Sequence, residues 1–124
     1  MLASITAAVF AFLALLHFYW ALRGGGGTSA AIPEINGVPA FKPSKTGTVL
    51  VGMVLLGTAA VVLLDIGLLL AGAAAVLILR AIGDFRLVGF FKRIRGSRFA
   101  RLDTLLYSPL CLALGAALAL LAAG

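Results

Sequence analysis

The sequence predicts an all-α integral membrane protein, a bundle of four transmembrane helices. Three observations carry that prediction. Of 124 residues, 63% are hydrophobic and only 11% are charged, against about 25% charge in a soluble domain. The apolar residues gather into runs that reach the ~20 residues a helix needs to cross a hydrocarbon core of about 30 Å. All ten basic residues lie in two segments, one between the first and second spans and one between the third and fourth. An ordinary soluble globule and a disordered chain are both excluded by this composition. The single cysteine, Cys111, excludes an intramolecular disulfide and a cysteine-based metal cluster. No metal site is expected, and the residues point to no particular cofactor.

The first span, residues 2–22, contains only Ser4, Thr6 and His17 as polar members. It does not read as a cleaved signal peptide. No basic region precedes it, and Phe18-Tyr19-Trp20 stands where small residues would mark a cleavage site. Those rings form an interfacial belt, with Arg23 just beyond. Residues 24–46 hold four consecutive glycines, Pro33, Asn36-Gly37, Pro39 and Pro43, a density that forbids a continuous helix. The glycines read as a flexible linker, with a weaker second reading as a backbone nest for an anion.

A second apolar region follows Ser44, a good helix N-cap, and reaches Leu79 broken only by Asp65. As one straight helix it would be about 50 Å long, so a hairpin at Asp65-Ile66-Gly67 divides it into spans 45–64 and 66–85. The last span is 103–122, and residues 86–102 form a basic segment before it. The whole chain, 1–124, is one four-span domain. With four spans, Arg23, Lys42, Lys45, Arg80, Arg86, Lys92, Arg93, Arg95, Arg98 and Arg101 share one side of the membrane. Three spans would put the basic segments on opposite sides. The positive-inside rule selects four, with the basic segments in the cytoplasm and both termini and Asp65 outside.

That topology gathers most of the unusual residues at the inner ends of the spans. His17 and Trp20, three apart, share a helix face. His17 is a candidate proton carrier, hydrogen-bond donor or axial ligand, and more plainly a bundle histidine bonded to a neighbouring helix. Arg80 and Asp84, four apart, fit a same-helix ion pair; equally, Arg80 holds an anionic group with Asp84 orienting it. Asp103, Tyr107, Cys111 and Gly115 recur every four residues and form one stripe, although Asp103 alone reads as the N-cap of the last helix. Pro109 removes a helical hydrogen bond from the Leu105 carbonyl and predicts a kink there. Glu34 lies in the loop on the same side.

Lys92, Arg93, Arg95, Arg98 and Arg101 alternate with Phe90, Phe91, Ile94 and Phe99. Interleaved cations and rings suit an interfacial segment on anionic lipid, worth about 1 kcal/mol per cation near the surface, or serve as topology signals alone. Nucleic acid is not an expected partner, since no folded module presents the strip.

Several pieces occur in an order that resembles a known family. They are His17-Phe18-Tyr19-Trp20-Ala21-Leu22 with the glycines after it, Ala31-Ile32-Pro33-Glu34, and Arg80-Ala81-Ile82-Gly83-Asp84-Phe85-Arg86. Val88-Gly89-Phe90-Phe91-Lys92, Phe99-Ala100 with Asp103, and Tyr107-Ser108-Pro109-Leu110-Cys111 follow. The chain resembles small bacterial membrane proteins grouped as domain of unknown function 3995, with Arg23 where that pattern favours glycine. The resemblance implies a multi-span protein, here of the bacterial cytoplasmic (inner) membrane, and supplies no activity or cofactor.

The leading functional expectation is a lipid or amphiphile site at the cytoplasmic interface lined by His17, Trp20, Glu34, Arg80, Asp84, Asp103 and Tyr107. Whether it is an enzyme stays open; in an enzyme, His17 or Glu34 would move the proton and Arg80 would anchor the anion. One alternative is an accessory or scaffold protein whose surfaces at 71–75 and 115–117 pack a second copy or a partner's helices. The other is a small proton-coupled exporter, which the absence of a midplane acid in the first span disfavours.

Overall fold

The computed structural model describes residues 1–23, 32–36, 38–40, 44–85 and 87–124. The glycines at 24–27, with their linker and nest readings, lie outside the described residues, as do Lys42 and Arg86. Helix α1 is Leu2–Leu22, α2 is Lys45–Leu64 and α3 is Gly67–Ile82. Arg98–Leu102 (α4), a π-helical turn at Asp103–Tyr107, and Ser108–Ala123 (α5) run on as one last helix. Between α1 and α2, the two-residue strands β1 (Glu34–Ile35) and β2 (Val38–Pro39) pair antiparallel, Ile35 opposite Val38. Asn36 makes that turn with φ of 54°, a conformation asparagine tolerates better than most residues.

Local chemistry sets the helix ends. Ser44 Oγ accepts from Gly47 N at 2.9 Å and caps α2. At the far end Asp65 takes the left-handed conformation, φ 56°, and Ile66 N donates back to the Val61 carbonyl. This is a Schellman-type stop with aspartate where glycine is commoner, and α3 begins two residues later. The expected hairpin at 65–67 is therefore a single tight turn.

Two boundaries depart from the sequence reading. The third span was expected to reach Phe85, but α3 stops at Ile82 because Gly83 adopts φ 89°. There the chain doubles back, and Phe90 N donates to the Ala81 carbonyl at 2.8 Å. Gly83 and Gly89 cross backbone against backbone, where a Cβ on either would overlap the other segment. The last helix begins at Arg98, not Asp103, because Ser97 Oγ caps it by accepting from Ala100 N. Asp103 is not an N-cap. It lies inside the helix at the π turn, where Ser108 N donates to the Asp103 carbonyl five residues back. The wider turn accommodates Pro109, which has no N–H to continue the ordinary ladder.

Leu2–Leu22, Lys45–Leu64 and Arg98–Ala123 are each long and apolar enough to cross a membrane, and α3, about 24 Å long at about 1.5 Å per residue, is a shorter apolar helix. Their outer flanks carry exposed Leu15, Met53, Leu68 and Leu105, the surface of an all-α membrane bundle in lipid.

The bundle is built from two helix pairs. Helix α1 packs along α2, and α3 along α5, with fewer contacts between the pairs. Small residues permit the close approaches. A Cβ on Gly52 would sit 2.7 Å from the Phe18 ring, and one on Gly115 would sit 2.8 Å from Ile78. Gly115, which continues the Asp103-Tyr107-Cys111 stripe, packs α5 on α3 within the chain, with Ala74 buried at the same contact.

The pairs meet at one end only. Ala7 and Phe10 of α1, Ala59 and Val62 of α2, Leu70 and Ala74 of α3, and Leu114 and Leu118 of α5 form one buried cluster. By helix direction these residues occupy the half that holds the chain termini and the Asp65 turn. Toward the opposite end, where residues 83–97 lie, the pairs leave a cavity.

Candidate functional site

The cavity has a volume of about 370 Å³, at the small end of the range for ligand pockets. All four long elements contribute to it. Its walls are mostly apolar, including Leu13 and Leu16 of α1, Leu55 of α2, Leu77 of α3 and Leu110 of α5. The polar lining groups are His17, Trp20, Arg80, Tyr107 and Cys111. Arg80 supplies the only formal charge among the lining residues.

Arg80 projects from the last turn of α3 and is held from one side. Its Nη2 donates to Asp103 Oδ1 at 2.8 Å, while Nη1 is buried with no hydrogen-bond partner among the described residues. The side chain as a whole remains 30% exposed. An unsatisfied nitrogen on a charged group is costly, and such an exception calls for an explanation.

Asp103 is fully buried and is the centre of the polar structure. Oδ1 accepts from Arg80 Nη2 and from Ser108 Oγ at 3.0 Å, and Oδ2 accepts from Gly89 N at 2.7 Å. Lys92 Nζ approaches Oδ2 at 3.2 Å and donates to the Gly89 carbonyl and to Thr104 Oγ1. A carboxylate has about four acceptor sites, and these partners occupy them. One side chain thereby ties α3, the 83–97 segment and the start of α5 together. The Gly83–Gly89 crossing brings the Gly89 N–H into reach. Two cations around one anion leave the cluster with a net positive charge next to the cavity.

Lys92, expected on the lipid interface, is instead 2% exposed and belongs to this cluster. Of the remaining cations, Arg93 Nε donates to the Phe85 carbonyl, and Arg95 donates from Nε to Lys92 O and from Nη2 to Phe90 O. These two brace the 83–97 segment. Arg98 and Arg101 are exposed at the start of the last helix.

Asp84 lies beyond the end of α3, so the same-helix pair expected with Arg80 is replaced by the Arg80–Asp103 pair. The Asp84 carboxylate accepts from Leu87 N at 2.8 Å and Val88 N at 3.2 Å, holding the reversal after α3. It does not line the cavity. Glu34 belongs to β1 by its backbone, and the expectation for its side chain lies outside the described residues.

His17 bonds within its own helix rather than to a neighbour. Nδ1 lies 2.7 Å from the Leu13 carbonyl; since a carbonyl only accepts, Nδ1 carries the proton and Nε2 is the ring's remaining polar atom. Trp20 meets the imidazole edge-on, with centroids 5.0 Å apart. Tyr107 packs on Phe99 at 5.7 Å. His17 and Trp20 of α1, Arg80 of α3 and Tyr107 of the last helix thus meet at one cavity, with Asp103 behind Arg80 and Asp84 outside. Among the described residues no group of three or more His, Cys, Asp or Glu side chains is placed to hold a metal ion.

No curated protein and no solved structure matches the chain significantly. The family model for "Protein of unknown function (DUF3995)" matches residues 10–118, which include most of both helix pairs and every residue of the cavity, and the chain belongs to that family.

Proposed function

We propose that the cavity binds an amphiphile from the membrane, with its anionic head on Arg80 and its apolar part between the two helix pairs. The carrying observation is that Arg80 is the one formally charged residue lining an apolar cavity, with Nη2 fixed by Asp103 and Nη1 buried without a hydrogen-bond partner among the described residues. A turn of the partly exposed guanidinium presents Nη1 to a head group, which removes that deficit, and the apolar walls replace the lipid surface of its chain. Lys92 and Asp103 hold Arg80 in place without touching the ligand. Among the described residues no acidic one lines the cavity to carry a coupled proton, which favours this reading over a small proton-coupled exporter.

The orientation that accords with the basic residues places the cavity at the cytoplasmic side of a bacterial inner membrane, with both termini outside. Arg98 and Arg101 then face anionic head groups. Native mass spectrometry of protein extracted in mild detergent tests the site. The wild type is expected to carry a bound amphiphile, and Arg80→Gln to lose it with only a modest loss of thermal stability. If Arg80→Gln folds and keeps the bound mass, Arg80 serves structure alone.

A further inference from the structure

We infer that the occupant is a single-chain carboxylate of the fatty-acid class; this rests on the amphiphile site proposed above and narrows it. Two quantities select the class. The first is charge. The cavity offers one cationic group, Arg80, and no acidic residue lines it. Beyond Arg80, the cluster of Asp103 and Lys92 is internally neutral. The local excess is one positive charge, which one negative charge balances. A carboxylate carries one, as does the phosphodiester of a phospholipid, whereas a phosphate monoester carries about 1.5 to 2 at neutral pH, so charge excludes the monoester and size must decide between the other two. Excess charge buried beside an apolar wall is strongly disfavoured.

The second quantity is volume. A cavity of about 370 Å³ is at the small end of the range for ligand pockets. That accommodates a carboxylate with the first part of one alkyl chain, the rest passing between the helix pairs toward lipid. The glycerol, phosphate and two chain starts of a phospholipid demand more of that space than one carboxylate and one chain do. Donors are also few. One guanidinium nitrogen suits one carboxylate oxygen, and the indole N–H of Trp20 is a donor on the same wall.

The cavity contains its own reporter, because Trp20 lines it and is the single tryptophan of the chain. The full-length protein is placed in nanodiscs of unbrominated lipid and titrated with 9,10-dibromostearate, with brominated hexadecyl phosphate and with brominated phosphatidylglycerol. Dibromostearate is expected to quench Trp20 saturably and to be displaced by stearate. Arg80→Gln should weaken this at least about tenfold, the loss of a charge-assisted hydrogen bond. Leu55→Phe, which narrows the cavity from α2 and leaves the Asp103 cluster intact, should reduce it comparably if Arg80→Gln does not fold. Saturable quenching by the phosphate or the phospholipid, with little by the acid, overturns the carboxylate assignment and leaves an amphiphile site standing. Absence of saturable, displaceable quenching by all three overturns both.

Discussion

Replacing Asp103 with alanine removes the acceptor of four polar groups at once. Arg80 Nη2, Gly89 N and Ser108 Oγ lose bonds of 2.7 to 3.0 Å, and Lys92 loses its ion pair at 3.2 Å. Lys92 decides the magnitude, because its side chain has no exposure and cannot move its ammonium to water without opening the 83–97 segment. Removing one partner of a buried pair costs about 3–5 kcal/mol, largely from the charge left behind. The reverse change, Lys92→Met, leaves Asp103 with Arg80, Gly89 and Ser108 and removes a charge. It should cost less than half as much. Combining Asp103→Ala with Lys92→Met should recover part of the loss, giving a coupling of about 1–3 kcal/mol. Unfolding of the full-length protein by SDS titration in mixed micelles, followed by circular dichroism, measures all four corners of the cycle. A cost below about 1 kcal/mol for Asp103→Ala, or additive effects of the two changes, would refute a charge cluster as the clamp at this end of the bundle.

Arg98→Gln with Arg101→Gln should weaken association with anionic vesicles at low salt and leave amide exchange in residues 87–97 unchanged, whereas Arg95→Gln should accelerate exchange there because it removes two bonds to loop carbonyls; equal exchange in both variants would contradict that division. Gly52→Val should separate α1 from α2 at a cost of about 1–3 kcal/mol, since its Cβ would meet the Phe18 ring, and Phe18→Ala in the same chain should restore part of it by the same SDS titration. A cysteine placed at the C-terminus, in a Cys111→Ser background, should react with an impermeant maleimide on intact cells, and one at Ser97 should not; labelling at Ser97 from outside inverts the proposed orientation.

The four apolar helices were legible because apolar length and turn chemistry are local properties. Ser44 and Asp65 lie at the ends of α2 where capping rules place them. The convergence of His17, Trp20, Arg80 and Tyr107 also followed from helix spacing and span direction, both set by nearby residues. Asp103 and Lys92 were misread for one reason. An acid at the head of an apolar run has the pattern of an N-cap, and a lysine among arginines has the pattern of a surface cation. Their pairing depends on a chain reversal that no periodicity encodes. Two signals pointed to it. Gly83 and Gly89 bracket the reversal, and both need positive φ. Ser97 is a better cap than Asp103 for a helix that starts at Arg98, ahead of the apolar run. Pro109 signalled an irregular turn, but whether it became a kink or the observed π turn depended on the buried Asp103–Ser108 contact.

An experimental structure of the protein extracted into nanodiscs with its native lipid addresses the cavity most directly. The expected result is elongated density between the helix pairs. Its head should lie within hydrogen-bonding distance of Arg80 Nη1, and its tail should run past Leu13 and Leu55. A cavity collapsed by closure of the two pairs, or one with Nη1 turned to a protein acceptor, would contradict the amphiphile site and leave Arg80 as a structural partner of Asp103.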